Sequence, residues 1–370
     1  MNRLLLVALA GLLAVTATPT QVTPAVAATT AIPVVTGLAA PAGFTVAADG
    51  RIFWTEKNTG LIGVWTPSTN AKTTFATIGN LCITEDQGLL GIALAPGSED
   101  VFVYANRDLG TGCRMQVLRV APGGATPAVI FDEPGSTPIH VGGRLALGPD
   151  GNLWLSIGDA ENSANSQDTA SQKGKLLRMT TAGAAAPGNP IAGNRMYAFG
   201  LRNVFGFDFD PDTGNVPWVT ENGPACNDEV NRIVVNHNYG WGPNATGQSP
   251  YEPCTGTAPG NTNRDGDNIH QPEYGTVDAD GPTGAAFCDR CGLDFDGRLL
   301  WGSVRSNEIE ALTLNAARTD ISGSQVAYSH NQGVLAIETG PDHAIYFSDF
   351  GAIYRLASDD TDVGTILNDG

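Results

Sequence analysis

The sequence is poor in basic residues and has no long amphipathic helix. Lys and Arg total 20 against 38 Asp and Glu, which gives a formal net charge of −18, and charged residues make up only 16% of the chain. An acidic surface repels nucleic acid and anionic membranes, so we expect neither as a partner. After the N-terminus, no stretch of 12 or more residues has the 3.6-residue apolar period of a surface helix. Because basic residues are few, a buried anionic ligand would depend on a small number of local cations.

The N-terminal apolar run is too short to cross a membrane. Leu4–Val15 falls below the roughly 20 residues that a transmembrane helix needs. It follows the basic residue Arg3 and precedes the small residues Ala25-Val26-Ala27. This order predicts a secretory signal peptide over residues 1–28, cleaved near Ala27 or Ala28, and a secreted or periplasmic protein. We assign residues 29–370 to one domain.

Glycine and proline are abundant, with 46 and 23 residues, and apolar hairpins recur along the chain. Each unit has an apolar strand, a turn with Asp, Pro or Gly, a second apolar strand, and then a small or acidic residue. The six units are Gly43–Glu56, Leu90–Tyr104, Gly143–Asp159, Phe205–Glu221, Gly284–Ser303 and Val334–Asp349. A short strand follows most units and is expected to end them, as at Leu61–Trp65, Lys175–Met179, Glu229–Val234, Glu308–Thr313 and Ala352–Leu356. Six repeats of roughly 57 residues, each enough for about four strands, predict an all-β, six-bladed propeller, with an array of β-sandwiches as the competing architecture.

The third unit is the best defined. Gly148-Pro149-Asp150-Gly151 has the residues of a tight turn between strands 144–147 and 152–157, both almost continuously apolar. The pattern predicts a hairpin that is buried on both faces, with His140 at its entrance and Asp159 at its exit. The longest inserts, Ala160–Gln172 and Asn236–Pro282, are expected on the rim where loops of successive blades meet.

Six cysteines in an exported chain favour disulfides. We expect sequential pairing, Cys82–Cys113, Cys226–Cys254 and Cys288–Cys291, because each bond would then close a single loop. Zinc binding by the CxxC spacing of Cys288 and Cys291 is the alternative.

Two polar clusters lie in the second and third units. Glu85-Asp86 precedes the apolar segment Gln87–Gly91, and His140 precedes Gly142-Gly143-Arg144. A neutral imidazole on open backbone can act as a base, although such a histidine is also a common structural loop residue.

Two more clusters lie in the fourth unit. Arg202-Asn203 at a strand entrance could hold a carboxylate or polarise an oxygen, or could bind carbonyls of a neighbouring blade. Glu221–Pro224 and Asn227–Glu229 combine a Gly-Pro turn with carboxylates, followed by Asn238–Trp241. Carbonyl and carboxylate oxygens suit Ca²⁺, and a solvated acidic turn is the alternative.

Taken together, these motifs resemble those of a known family. The segments DQGLLGIAL, HVGGRLALGPDG, SIGD, GKLLRM, YAFGLRN, ENGPACNDEVNRI and NYGW resemble, in order, those of the glucose/sorbosone dehydrogenase family. That family includes soluble sugar dehydrogenases that depend on pyrroloquinoline quinone (PQQ). The resemblance runs from about Gly37 to Leu356 and is densest from Glu85 to Trp241.

The resemblance implies an enzyme that oxidises the C1 of an aldose sugar, with PQQ over the central channel and Ca²⁺ as Lewis acid. His140 would be the catalytic base, with Arg202 beside it. The cofactor-binding set is Asp86, His140, Arg202, Asn203, Asn222, Asp228 and Arg305. The Gly223 and Pro224 carbonyls would bind Ca²⁺ at the cofactor, and Glu229 and Tyr239 would belong to a second calcium site. An external acceptor would reoxidise the cofactor; the oligomeric state is left open.

Three positions depart from the family pattern. Asp86 stands where a glutamine is expected, Ile139 stands where an acid helps to bind sugar, and Ser329–Glu338 lacks an arginine pair that binds PQQ. Two other functions are therefore kept as alternatives. One is a non-catalytic propeller that binds a glycan or protein, and the other is a Ca²⁺-dependent lactonase.

Overall fold

The computed structural model describes residues 28–124, 126–243 and 270–358. Its strands form six antiparallel sheets of four strands each, and the sheets follow one another along the chain. The predicted six-bladed propeller is confirmed. Within the described residues, no helix is both long and apolar enough to cross a membrane.

The first strand that the structure describes is β1 (Thr29–Thr36), and five complete blades follow it in order. The first blade contains β2 (Pro41–Val46), β3 (Ile52–Glu56), β4 (Leu61–Thr66) and β5 (Ala71–Thr77). The second contains β6 (Leu89–Leu94), β7 (Val101–Asp108), β8 (Cys113–Val120) and β9 (Ala128–Pro134). The third contains β10 (Leu145–Leu147), β11 (Leu153–Ile157), β12 (Lys175–Met179) and β13 (Met196–Phe199). The next two are β14 (Val204–Asp210), β15 (Val216–Glu221), β16 (Glu229–Arg232) and β17 (Tyr274–Gly275); β18 (Pro282–Phe287), β19 (Leu299–Ser303), β20 (Glu308–Leu314) and β21 (Ile321–Ser329). A short α-helix, α1 (Ala164–Gln167), and a 3₁₀ turn, Pro211–Thr213, interrupt the strands.

The sixth blade joins the two ends of the chain. Its strands are β22 (Ala336–Thr339), β23 (Ile345–Ser348) and β24 (Ala352–Ser358), and β1 pairs with β24 as the fourth strand. The register runs from Thr29 opposite Ser358 to Thr36 opposite Ala352. This pairing closes the ring without leaving the last blade incomplete.

About four strands per repeat is confirmed, since each blade has four. The short strand expected to end each unit is the third strand of its blade, and a fourth strand pairs outside it. These outer strands lie at exposed sheet edges and carry little apolar patterning. Five of the seven residues of β5 and most of β21 are exposed. The six predicted hairpins are the first and second strands of the blades, and those of the third unit begin one residue later than expected.

A side chain of each blade donates a hydrogen bond to a carbonyl of the next blade near the hub. The bonds are Thr55 Oγ1 to Leu90 O, Tyr104 Oη to Val141 O (2.7 Å), Ser156 Oγ to Val204 O (2.9 Å), Asn222 Nδ2 to Pro282 O (2.8 Å), Thr283 Oγ1 to Val334 O (2.5 Å) and Ser348 Oγ to Pro41 O (2.8 Å). Because the first strands meet here, these bonds satisfy carbonyls that strand pairing leaves free.

Two of the expected disulfides are confirmed, Cys82–Cys113 and Cys288–Cys291. The zinc alternative for Cys288 and Cys291 is wrong, since both sulfurs belong to the bond. Cys226 is also disulfide-bonded, and Cys254, its expected partner, lies outside the described residues.

The first strands approach so closely at the hub that one of them requires glycine. A Cβ on Gly43 would lie 2.4 Å from the carbonyl oxygen of Leu90 and 3.1 Å from Gly91 Cα, both backbone atoms. Backbone cannot rotate aside as a flexible side chain would, so an added methyl group would force the two blades apart.

Gly43→Ala should therefore lower the free energy of unfolding by about 1–3 kcal/mol, the usual cost of overpacking a core. Urea denaturation followed by tryptophan fluorescence measures this change. Gly323→Ala, in outer strand β21 with no atom within 4 Å of the new Cβ, is the matched control. Equal losses in the two variants would contradict the close-approach explanation.

Candidate active site

His140 lies where the chain enters the third blade, in an uncommon backbone conformation. Its φ is +59°, in the left-handed region that a histidine rarely adopts. Its N–H donates to Asp86 Oδ2 (2.9 Å) and its carbonyl accepts from Ala160 N (3.1 Å). Two fixed partners, from the second blade and from the insert after β11, thus hold the backbone that presents the imidazole.

The imidazole of His140 bridges a carboxylate and a guanidinium. Nδ1 is 2.8 Å from Asp159 Oδ1, and Nε2 is 2.6 Å from Arg202 Nη2. An arginine N–H can only donate, so Nε2 must accept and the proton of the neutral ring lies on Nδ1, facing Asp159. The contacts therefore specify one tautomer, with its basic nitrogen directed at Arg202.

Arg202 is buried among acids. Its Nη1 donates to the carbonyl of Asn222 (2.7 Å), its backbone N–H to Glu221, and its guanidinium lies 5.4 Å from the ring of Trp241. Burial lowers the pKa of Arg202, and nearby carboxylates oppose this effect. The carboxylates that act on it are those of Asp159, Glu221, Asp228 and Asp86.

Asp159 holds two side chains of the site at once. One oxygen faces His140, and the other accepts from Trp241 Nε1 (2.8 Å). Trp241 lies between β16 and β17 of the fourth blade, and its carbonyl accepts from Gln167 of the insert helix α1 (2.6 Å). The predicted rim insert Ala160–Gln172 therefore packs beside the site. Most of the second predicted insert, Asn236–Pro282, lies outside the described residues.

Asp86, Asn203 and Asn222 form a polar network next to this chain. Asn203 Nδ2 contacts Asp86 Oδ2 (3.5 Å), and its Oδ1 accepts from Gly142 N (3.1 Å). Asn222 N donates to Asn203 O (3.0 Å). Residues predicted from three separate motifs are thus joined in space.

The predicted metal-binding turn, Gly223-Pro224, directly follows Asn222 in the chain. Asp228 closes it by accepting from Gly223 N and from Gly281 N, each at 2.8 Å. Burial raises the pKa of Asp228. Pro224 is exposed, and the carbonyl that precedes Gly223 binds Arg202. The Gly223-Pro224 turn therefore begins directly after Asn222, the residue whose carbonyl accepts from Arg202.

Three predicted residues lie further out. Glu229 is buried beside Asn231, whose Nδ2 contacts both Glu229 and Glu221 at 3.3 Å. Tyr239 is buried and its hydroxyl serves backbone groups, Arg232 O (2.7 Å) and Val234 N (2.8 Å). Arg305 is exposed on the rim, where it contacts Ala279 O (3.4 Å).

A cavity of about 580 Å³ opens beside these groups at the hub, and all six blades contribute to its lining. Asp86, Asn203 and Asn222 line it, together with Lys57 and Arg144. Lys57 was missed by the sequence analysis because it follows a strand without a recognisable motif. Arg144 was part of the His140 motif but received no role.

The cavity suits a planar, anionic cofactor in size and in donors. Small-molecule sites have volumes of about 300–1,000 Å³. Lys57 and Arg144 line the cavity and Arg202 adjoins it, and buried Arg202 Nε and Arg144 Nη2 have no hydrogen-bond partner among the described residues. For Ca²⁺, four carboxylates act on the single Arg202 guanidinium. That excess of negative charge beside a Gly-Pro turn is compatible with a hard divalent cation.

Comparisons with known proteins agree with this geometry. Residues 38–355 match the family model for glucose/sorbosone dehydrogenase. An uncharacterized protein of Synechocystis is 30% identical over 89% of this chain and 86% of its own length. Quinoprotein glucose dehydrogenase B of Acinetobacter calcoaceticus is 27% identical over 54% of this chain, a match that spans 49% of that enzyme. The structure of PQQ-bound aldose sugar dehydrogenase from Streptomyces coelicolor, 24% identical, has the same fold, with a TM-score of 0.72 over 90% of this chain and 98% of that one.

Asp159→Asn should weaken the preference for one His140 tautomer. The two carboxylate oxygens accept separately from the imidazole and from Trp241, whereas an amide replaces one oxygen with an NH₂ donor, so one of the two contacts is lost. The loss of a charged acceptor costs about 1.5–3 kcal/mol. Nitrogen-15 NMR of the histidine rings measures the change, with half-buried His237 as internal reference. We expect one dominant Nδ1–H form in the wild type and a larger share of the Nε2–H form in the variant; identical spectra would contradict a role of Asp159 in holding the tautomer.

Proposed function

The chain belongs to the glucose/sorbosone dehydrogenase family, and from this we propose that it is a PQQ- and Ca²⁺-dependent oxidoreductase that oxidises the C1 of an aldose sugar. The observation that carries the proposal is the hydrogen-bonded chain Asp159–His140–Arg202. Gly142 and Asn203, close to it in sequence, line the hub cavity. It combines an oriented base with a neighbouring cation, as removal of a proton from an alcohol requires.

His140 would accept the proton of the sugar hydroxyl on Nε2. That nitrogen has one lone pair in the ring plane, and Arg202 occupies it at 2.6 Å. The hydroxyl must therefore displace the Arg202 N–H from Nε2. Once displaced, the guanidinium can donate to the oxygen that becomes negative, so one movement both frees the base and stabilises the developing charge.

Asp159 would hold the imidazole through this step. Its carboxylate faces Nδ1–H, so the positive charge that forms on the ring when Nε2 takes the proton meets a buried anion at 2.8 Å. The second bond of Asp159, from Trp241, prevents the carboxylate from turning away.

Asp86, Asn203 and Asn222 would hold PQQ in the cavity, and Lys57, Arg144 and Arg202 would offset its three carboxylates, with Arg305 at the rim. When bound, PQQ supplies the acceptor for the hydride that leaves C1, and Ca²⁺ supplies a Lewis acid beside it. The Gly223 and Pro224 carbonyls would hold that ion. We further propose that Glu229 and Tyr239 belong to a second calcium site, that the protein is exported, and that an external acceptor reoxidises the cofactor.

The test is reconstitution of purified protein with PQQ and CaCl₂, followed by dye reduction with a panel of aldoses. The proposal requires dye reduction by at least one aldose, and loss of this activity after chelation of Ca²⁺. A panel of lactones under the same conditions, without dye, tests the lactonase alternative. Saturable PQQ binding without turnover of any sugar would favour a binding protein instead.

His140→Ala should leave PQQ affinity within a few fold of the wild-type value and lower kcat by roughly 10²–10⁴, the usual contribution of a general base. Steady-state dye reduction gives kcat, and fluorescence titration gives the PQQ affinity. His343→Ala changes a more exposed histidine on the outer surface and serves as the control. Unchanged kcat in His140→Ala would place the base elsewhere.

A further inference from the structure

Arg144 lies between two cavities that follow the hub axis. The cofactor cavity is lined by the starts of the six first strands, and a second cavity of about 250 Å³ is lined by their ends. Among the lining residues, only Arg144 belongs to both cavities. Its side chain therefore separates the proposed cofactor site from the opposite face of the propeller.

The guanidinium reaches across the axis from the third blade to the fifth. Nη2 lies 3.1 Å from the position that a Cβ on Gly284 would occupy. The backbone of Arg144 is fixed by Ser156, whose hydroxyl accepts from Arg144 N and whose N–H donates to Arg144 O, each at 3.1 Å. Nη2 is buried and has no hydrogen-bond partner among the described residues.

Two carboxylates face Arg144 in the second cavity. Glu338 accepts from Thr45 Oγ1 (2.9 Å), and Asp208 accepts from the backbone N–H of Phe287 (2.7 Å) and of Phe209 (2.8 Å). Burial raises the pKa of Glu338 to about 7 and that of Asp208 to about 6, and Arg144 opposes both shifts. Neither forms an ion pair with Arg144 within 4 Å in the part of the chain that the structure describes. The positive charge of Arg144 is thus opposed by Glu338 and Asp208 from the side of the second cavity, without a direct ion pair.

From this arrangement we infer that Arg144 forms the positively charged floor of the cofactor cavity and makes the reduced cofactor more stable, while Glu338 and Asp208 moderate its charge from the far side. The inference rests on the proposed function, because it requires an anionic redox cofactor above Arg144. Hydride transfer adds two electrons and one proton, so the cofactor would gain one negative charge before any second proton binds. A nearby positive charge would favour this reduced form, and negative charge on the far side would weaken the effect.

Two substitutions should consequently act in opposite directions. Arg144→Met removes the positive charge and should lower the ratio of reduced to oxidised PQQ affinity on the order of tenfold, the scale of two unit charges about 12 Å apart at a dielectric constant near 20. For a two-electron couple this is about −30 mV in reduction potential. Glu338→Gln removes a negative charge and should shift the potential upward.

The experiment measures the affinity of the apoprotein for oxidised and for reduced PQQ by fluorescence titration, with Ca²⁺ present, at pH 8. Glu310→Gln, which removes a half-buried carboxyl on β20, away from the hub cavities, is the matched control and should leave the ratio unchanged. Arg144→Lys keeps the charge and should remain close to the wild type. A role of Arg144 in packing alone would lower both affinities together and leave their ratio constant.

The outcomes separate the inference from the function. Opposite shifts in Arg144→Met and Glu338→Gln support the charged floor. Shifts in one direction, or a constant ratio, overturn it while the proposed function stands. A wild-type protein that binds no PQQ overturns both. If Arg144→Met does not fold, Glu338→Gln and Asp208→Asn decide, since an upward shift supports the inference and no shift rejects it.

Discussion

Closure of the ring is the constraint on which the rest of the structure depends. The pairing of β1 with β24 holds the first blade against the sixth, and a side-chain hydrogen bond to a carbonyl crosses each of the six blade boundaries. Closure directs the starts of all six first strands to one end of the axis. Because the predicted catalytic and cofactor residues lie near those starts or at the ends of the second strands, closure brings distant parts of the chain together.

The protein as a whole is strongly acidic, yet its axis carries positive charge. Lys57 and Arg144 line the hub cavity and Arg202 adjoins it, and each guanidinium has buried acids nearby. A low dielectric environment strengthens these interactions and makes an unpaired charge costly. The site can therefore attract an anionic cofactor while the outer surface repels other anions. The same acids around Arg202 provide an environment for a divalent cation.

In the structure, Arg202 donates to Nε2 of His140, so the basic nitrogen of the imidazole already has a hydrogen-bond partner. The lone pair of Nε2 is occupied by the Arg202 N–H. In the proposed reaction, the sugar hydroxyl would replace that bond, which would couple its deprotonation to the freeing of a guanidinium N–H. His140 is held for this exchange by its left-handed backbone and by Asp159, which the sequence separates from it by a whole hairpin.

Patterns along the chain predicted the all-β class, six repeats of about four strands, the sequential Cys82–Cys113 and Cys288–Cys291 bonds and most residues around His140, because strands and turns leave local patterns and motifs keep their order. The positions of the fourth strands could not be predicted, since an exposed edge needs no apolar period, and neither could the use of β1 in the last blade. The fold was needed to show that Lys57 lines the cavity, that Arg144 separates two cavities, and that Arg202 donates to the imidazole of His140. Those facts depend on distances across the hub, which no pattern along one chain contains.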